Sequence, residues 1–150
     1  MKSTFYTAEH DAYRESVREF LKREVTPHYE RWEEERLVDR SAWTAAGAVG
    51  MVGLGVPEEF GGAGEEDFRY RMVLSEEFAR VGATSFALGL GLQDDIVLPY
   101  LIDLGTEQQK KKWLPGMAAG ELIGAIALTE PGTGSDLQGM RTSAVRDGEG

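Results

Sequence analysis

The residues of this chain best suited to chemistry lie in one run, Ala127-Leu128-Thr129-Glu130-Pro131-Gly132-Thr133-Gly134-Ser135-Asp136-Leu137-Gln138-Gly139. A short apolar stretch leads into a Gly-rich turn that carries hydroxyls at Thr129, Thr133 and Ser135. Gly132 and Gly134 let the backbone come close to a ligand, free N–H groups in such a turn bind phosphate oxygens, and the Ser135 hydroxyl adds a further bond. The Thr129 hydroxyl and the neighbouring backbone can donate to a planar heterocycle. The run also reads as a plain loop between two strands. It is no P-loop, because no Gly-Lys-Ser/Thr follows it, and it lacks the strand-GxGxxG-helix context of a dinucleotide fold.

Other residues of the same types read as structural. Asp94 and Asp95 are neighbours on a helix and point in different directions, with no His or third carboxylate at i+3 or i+4 to complete a metal site. A helix–helix hydrogen bond or a place at a pocket edge suits them better. His10 and His28 have no nucleophile or ligand set around them and read as surface histidines. The Lys110-Lys111-Lys112 run reads as a solvated helix face. Glu130 and Asp136 flank the turn and are expected to fix its backbone.

The elements that must position these residues are mostly helices. Tyr13, Val17, Phe20, Leu21 and Val25 recur at steps of three and four from Thr7 onward, with Pro27 expected to kink or restart the helix. Trp32 anchors a more exposed extension, and Ser41 is the expected cap of a short helix that Gly50 ends. The segment Gly53 to Glu66 is a Gly-rich loop containing Pro57 and needing positive φ somewhere. Helix resumes from Asp67 to Val81, where Glu77 shares the apolar face and calls for a partner. The stretch Ser85 to Leu104 is apolar nearly all round, which predicts a place inside a helical bundle. Gly105 stops it, and Thr106 with Gln109 forms a capping box for a helix to about Ala119. Beyond Gly120, LIGAIALT reads as a buried strand and RTSAVRDG as a second. The expectation is a helical domain over residues 1–119 and the start of a β domain over 120–150, since two strands and a turn cannot bury a core of their own.

Composition narrows the function further. The chain has 150 residues, a formal net charge of −10 and no Cys. An acidic surface without a strong basic patch excludes a nucleic-acid partner, and the lack of Cys excludes disulfides, thiolate metal sites and a catalytic thiol. Redox chemistry would therefore need a bound cofactor. The N-terminus turns charged where a signal peptide is apolar and is too acidic for a mitochondrial targeting helix, and the longest uncharged stretch, Ser41 to Pro57, is shorter than a membrane span. These features point to a cytoplasmic protein with no membrane span.

The run LTEPGTGSDLQG resembles the first signature of the acyl-CoA dehydrogenases, flavoproteins that oxidise acyl-CoA to trans-2-enoyl-CoA. VREFLKREVTP, GMVGLGVPEEFGGAG and LGTEQQKKKWLPGMAAGEL agree with it in order and spacing, so the resemblance covers essentially the whole chain. It implies a mainly α fold: an N-terminal helical bundle followed by the first strands of an incomplete β-barrel-like middle domain, with a C-terminal helical bundle expected in the longer protein. It implies FAD as cofactor, with Ile126, Leu128 and Thr129 on the flavin side and Gly134 and Ser135 at the pyrophosphate, Ser135 also close to CoA. Ile126 stands where relatives are often aromatic, a departure that bears on a stacking contact and leaves the motif intact. The helix after Ser85 resembles the element lining the acyl-chain pocket, which makes Leu88, Leu92 and Ile96 substrate-contact candidates at i, i+4 and i+8, with core packing as the other reading. The family's base is a glutamate that in most members lies in the C-terminal domain, so no residue here takes that role and the 150-residue chain alone is expected to be inactive. The resemblance also implies an electron-transfer flavoprotein as acceptor and a homodimer or homotetramer. An acyl-CoA oxidase or flavin monooxygenase of the same fold, or a non-catalytic helical binding module, are the alternatives.

Overall fold

The computed structural model describes residues 5–148. The N-terminal reading above draws in part on residues 1–4, and the second domain's expected range ends at 149–150; both lie outside the described residues. Helix α1 spans Ala8–Phe20 and continues as a π-helical turn over Leu21–Val25, in which the Thr26 N–H donates to Leu21 O at 2.8 Å. Pro27 follows two residues later and has no N–H to return to the preceding turn. Helix α2, Tyr29–Glu35, ends at Arg36 in the left-handed region with φ 56°, and Trp32 is its buried anchor. Helix α3 spans Arg40–Ala48 and begins one residue before the expected cap, with Asp39 rather than Ser41 at the N-cap. The Asp39 carboxylate is held by Arg31, so neither side chain caps the helix.

The expected loop carries a single 3-10 turn, Glu58–Phe60, and takes positive φ at Gly53, Gly61 and Gly64. Helix α4, Arg69–Arg80, then packs beside α1. Helix α5 (Thr84–Gly91), a second π-helical turn (Leu92–Val97) and helix α6 (Leu98–Leu104) form one continuous run. This π turn also precedes a proline, Pro99, by two residues. Helix α7, Glu107–Ala118, starts with the expected box: Thr106 Oγ1 accepts from the Gln109 N–H at 3.3 Å, and Gln109 Oε1 accepts from the Thr106 N–H at 2.8 Å.

The core of the bundle centres on Phe86, whose ring meets Trp43 at 5.3 Å, Phe78 at 5.7 Å and Trp32 at 5.9 Å, all edge-on. Such edge-to-face pairs add to the burial of large aromatic surface. A smaller cluster of Val56, Phe60, Leu98, Leu114 and Met117 ties the loop to α6 and α7. The end of α7 sits directly on α3: a Cβ at Gly120, which has φ 70°, would lie 2.1 Å from Trp43 O. That contact fixes where the chain leaves the bundle.

Two expectations change here. The stretch from Ser85 to Leu104 is not inside the bundle. Phe86, Leu90, Gln93, Asp94 and Leu98 face inward, but Leu88 is 74% exposed, and Ile96, Tyr100 and Leu104 are exposed as well. The packing elements on its inner side cover one face and leave the other open. Thr84–Leu104, 21 residues, is also long and apolar enough to cross a membrane by length and composition, although Asp94, Asp95 and Asp103 interrupt it and keep it from being an uncharged stretch. Its buried Gln93 and Asp94 are hydrogen-bonded into the bundle, as expected of a bundle helix.

The two runs read as strands carry no ladder among the described residues, and LIGAIALT is largely exposed. An extended run becomes a strand through the N–H and C=O groups of neighbours. Here the N–H groups of Arg141 and Thr142 go instead to the Glu130 carboxylate, at 2.9 and 2.7 Å.

Candidate functional site

Leu88, Leu92 and Ile96, three expected substrate contacts, line one open groove together with Ser75, Ala79 and Ala87, of about 410 Å³. Their spacing brings them to one side of the α5–π-turn run despite the widened turn. The groove is open to solvent, with Leu88 and Ile96 both exposed along it.

The second group, Ile126, Leu128, Thr129, Gly134 and Ser135, lies along the segment after α7, and none of them lines that groove. Glu130 and Thr133 form a two-way backbone bridge at 3.0 Å, which folds Pro131 and Gly132 into a tight turn and buries Thr133. A Cβ added at Gly132 or Gly134 would meet nothing within 4 Å, so both backbones face open space. Among the described residues the N–H groups of Gly134 and Ser135 donate to no protein acceptor. Glu130 and Asp136 hold the turn's backbone: Glu130 accepts from Arg141 and Thr142, and Asp136 from the Gln138 N–H at 3.2 Å. The Thr142 hydroxyl, together with the Arg141 and Thr142 N–H groups, holds the Glu130 carboxyl below the usual range for a glutamate. The result is a braced turn with free donors, an arrangement able to receive an anionic oxygen.

The π turn Leu92–Val97, which carries the groove residues Leu92 and Ile96, also carries Gln93, Asp94 and Asp95. Asp94 accepts from the Gly53 and Leu54 N–H groups, one to each carboxylate oxygen at 3.0 Å. Burial pushes its carboxyl up, against the pull of those two N–H groups and of Arg71. Asp95 points the other way and pairs with Arg71. The pair therefore serves hydrogen bonding between elements, and no metal-holding cluster occurs among the described residues.

The sequence reading missed Gln93, a polar residue in an apolar run and 1% exposed. Its amide donates to Met117 O at 3.2 Å and Leu122 O at 2.9 Å, and its Oε1 accepts from the Gly124 N–H at 2.7 Å. The signal available was that a lone buried amide must be satisfied.

His10 corrects an expectation: it is 2% exposed rather than on the surface. Its Nδ1 accepts from the Thr7 N–H at 3.2 Å and bonds the Thr7 hydroxyl at 2.7 Å, while Nε2 lies 3.3 Å from Asp67 and the ring packs on Tyr70. It caps α1 and docks that cap on the start of α4. His28 is exposed, as read.

Residues 7–121 match the family model described as the N-terminal domain of acyl-CoA dehydrogenases. The chain is 47% identical over 143 residues to the long-chain specific acyl-CoA dehydrogenase of Mus musculus mitochondria, covering 95% of this chain and 33% of that protein. The crystal structure of an acyl-CoA dehydrogenase from Geobacillus kaustophilus superposes with TM-score 0.87 at 46% identity, covering 98% of this chain and 38% of that one. An acyl-CoA dehydrogenase from Bacillus anthracis, solved in complex with FAD, gives TM-score 0.81 at 35% identity over 94% of this chain and 24% of that one. The chain thus spans about a third of the length of the mammalian relative. With the helical bundle, the braced Gly-rich turn and these matches in agreement, the chain belongs to the acyl-CoA dehydrogenase family.

Proposed function

We propose that this chain is the N-terminal part of an FAD-dependent acyl-CoA dehydrogenase that converts acyl-CoA to trans-2-enoyl-CoA. One observation carries the reading: 47% identity along 95% of the chain to an enzyme named for that activity. The helical domain runs to about residue 119, and the chain from 120 onward opens the middle domain.

When bound, FAD supplies the hydride acceptor. The residues present fit it, because the turn after Pro131 has open glycines and unengaged N–H groups where a pyrophosphate needs donors. In this reading the Leu128 backbone and Thr129 hydroxyl orient the flavin ring, and Ile126 packs at its side with no aromatic stacking. Gly134 and Ser135 bind the pyrophosphate, with Ser135 also close to CoA. Leu88, Leu92 and Ile96 hold the acyl chain and keep water from it, the groove closing once further chain covers its open side. The α-proton goes to a carboxylate outside these residues. An electron-transfer flavoprotein takes the electrons, the full protein is a homodimer or homotetramer, and its place is the cytoplasm.

The test is anaerobic titration of the full-length protein with acyl-CoA thioesters of increasing chain length. A protein carrying FAD whose visible absorbance is bleached by one class of acyl-CoA is expected, with Leu92→Trp shifting the preferred chain to a shorter one. A protein that binds no flavin, or a bound flavin that no acyl-CoA bleaches, overturns the reading. Fast reaction of the reduced protein with oxygen would assign an oxidase or monooxygenase instead.

A further inference from the structure

We infer that Gln93 is a positioning residue that seats the flavin-contacting run on the helix bearing the acyl groove, an inference resting on the reading just proposed. Gln93 belongs to the same π turn as Leu92 and Ile96. Its three hydrogen bonds reach the last turn of α7 and the first residues of the extended segment: Met117 O, Leu122 O and the Gly124 N–H. Two carbonyl acceptors on one side and an N–H donor on the other leave the amide a single orientation in which every bond is made. Leu128 lies four residues beyond Gly124, so the clamp sets where the extended backbone starts and hence where Leu128 and Thr129 stand.

A second feature presses the same segment onto the helix. A Cβ at Gly124 would lie 2.5 Å from Val97 Cγ1 and 3.0 Å from Met117 Cε, so only glycine lets the backbone sit this close. Gln93 holds the segment down by hydrogen bonds and Gly124 removes the obstacle beneath it. In a bundle that needed only a filled core, an apolar residue at position 93 would serve as well. An amide that satisfies three backbone groups fixes register instead.

The experiment uses the full-length flavin-loaded protein with Gln93→Leu, Gln93→Glu and, as a control, Val17→Ala, a cavity variant in the buried face of α1. Gln93→Leu is expected to weaken FAD affinity by about tenfold or more and to change the visible circular dichroism of the bound flavin. Val17→Ala lowers the melting temperature but leaves both flavin readouts as in wild type. Gln93→Glu supplies the signature that a structural role would not give. An ionised carboxylate there faces two carbonyl oxygens and is driven toward its protonated form, which regains a donor. Its FAD affinity therefore falls as pH rises, whereas that of the wild type stays flat over the same range.

If Gln93→Leu does not fold, the pH profile of Gln93→Glu decides alone. Flavin affinity and dichroism unchanged in Gln93→Leu, a flat profile in Gln93→Glu, or a Val17→Ala variant that moves the flavin equally would overturn the inference. A wild-type protein that binds no FAD would overturn the functional reading instead, and the clamp is then read from hydrogen exchange at the Gly124 amide, which Gln93→Leu accelerates if the clamp exists and leaves unchanged if it does not.

Discussion

Three guanidinium groups converge on Glu77, a residue of α4 that is 1% exposed. Arg14 Nη1 donates to it at 2.7 Å, Arg18 Nε at 2.9 Å and Arg80 Nε at 3.2 Å. Burial on its own would raise the carboxyl, but the hydrogen bonds from Arg18 and Arg14 and the charges of Arg18 and Arg80 outweigh it, so the pKa lies below its ordinary value of 4.5. A depressed folded pKa gives stability that is present above the unfolded value and lost as pH falls through the folded one. Glu77→Gln should cost about 3 kcal/mol at neutral pH, the low end for breaking a buried pair because Arg18 and Arg80 keep contact with water. Urea unfolding at several pH values should also show the gap to wild type narrowing below the ordinary 4.5. A gap of constant size across acid pH would mean that the pair is not ionised in the fold. Asp94 has the opposite sign. Its raised pKa makes its ionisation a cost that grows as pH rises from 3.8. That Glu77 needed a partner was legible from its place on an apolar face. Which arginines supply it was not, because Arg14 and Arg18 lie in another helix 63 and 59 residues away.

At the scale of elements, the run from Thr84 to Leu104 is where sequence pattern and structure part. Uniform hydrophobicity reads as burial on all sides, yet one face packs on the bundle and the other is open. A sequence window counts apolar residues without knowing how many neighbours exist to cover them. Phe86 and Leu88, two residues apart, make the difference measurable. Phe86→Ala empties the centre of the aromatic cluster and should cost about 3–5 kcal/mol. Leu88→Lys should change the unfolding free energy of the 150-residue chain by less than about 0.5 kcal/mol, since that side chain is already 74% exposed. Equal losses would mean that the open face is covered. The capping box at Thr106 was legible because its chemistry is local. The π turns at Leu21–Val25 and Leu92–Val97 were not, although each stands just before a proline that the sequence displays. A proline announces a disturbed helix and leaves open whether the chain answers with a kink or a widened turn. The two strand readings fell short for a related reason: period and composition can mark an extended run, but ladder partners must come from elsewhere.

At the scale of the molecule, the helical bundle packs around a core of its own and the segment that follows it does not. The core around Phe86 closes on itself, and the end of α7 is locked on α3 at Gly120. Beyond that point the backbone is extended, mostly exposed and without ladder partners among the described residues. Among the described residues the two strongly buried carboxylates already have structural work, Glu77 with arginines and Asp94 with backbone N–H groups, so neither is free to take a proton from a substrate. The 150-residue chain, expressed alone, should therefore show the far-ultraviolet spectrum of a helical protein and a cooperative melt while failing to reduce a dye with any acyl-CoA. Its uncovered apolar residues, Leu88, Ile96, Tyr100 and Leu104 among them, should make it bind a hydrophobic dye and associate with rising concentration. The full-length protein, with that face covered, should do neither. Acyl-CoA-dependent dye reduction by the short chain would sink this division of labour, because it would require a base and a complete flavin site within residues that are otherwise engaged. A short chain that melts without cooperativity would sink the other half, since the bundle would then depend on the rest of the protein for its fold.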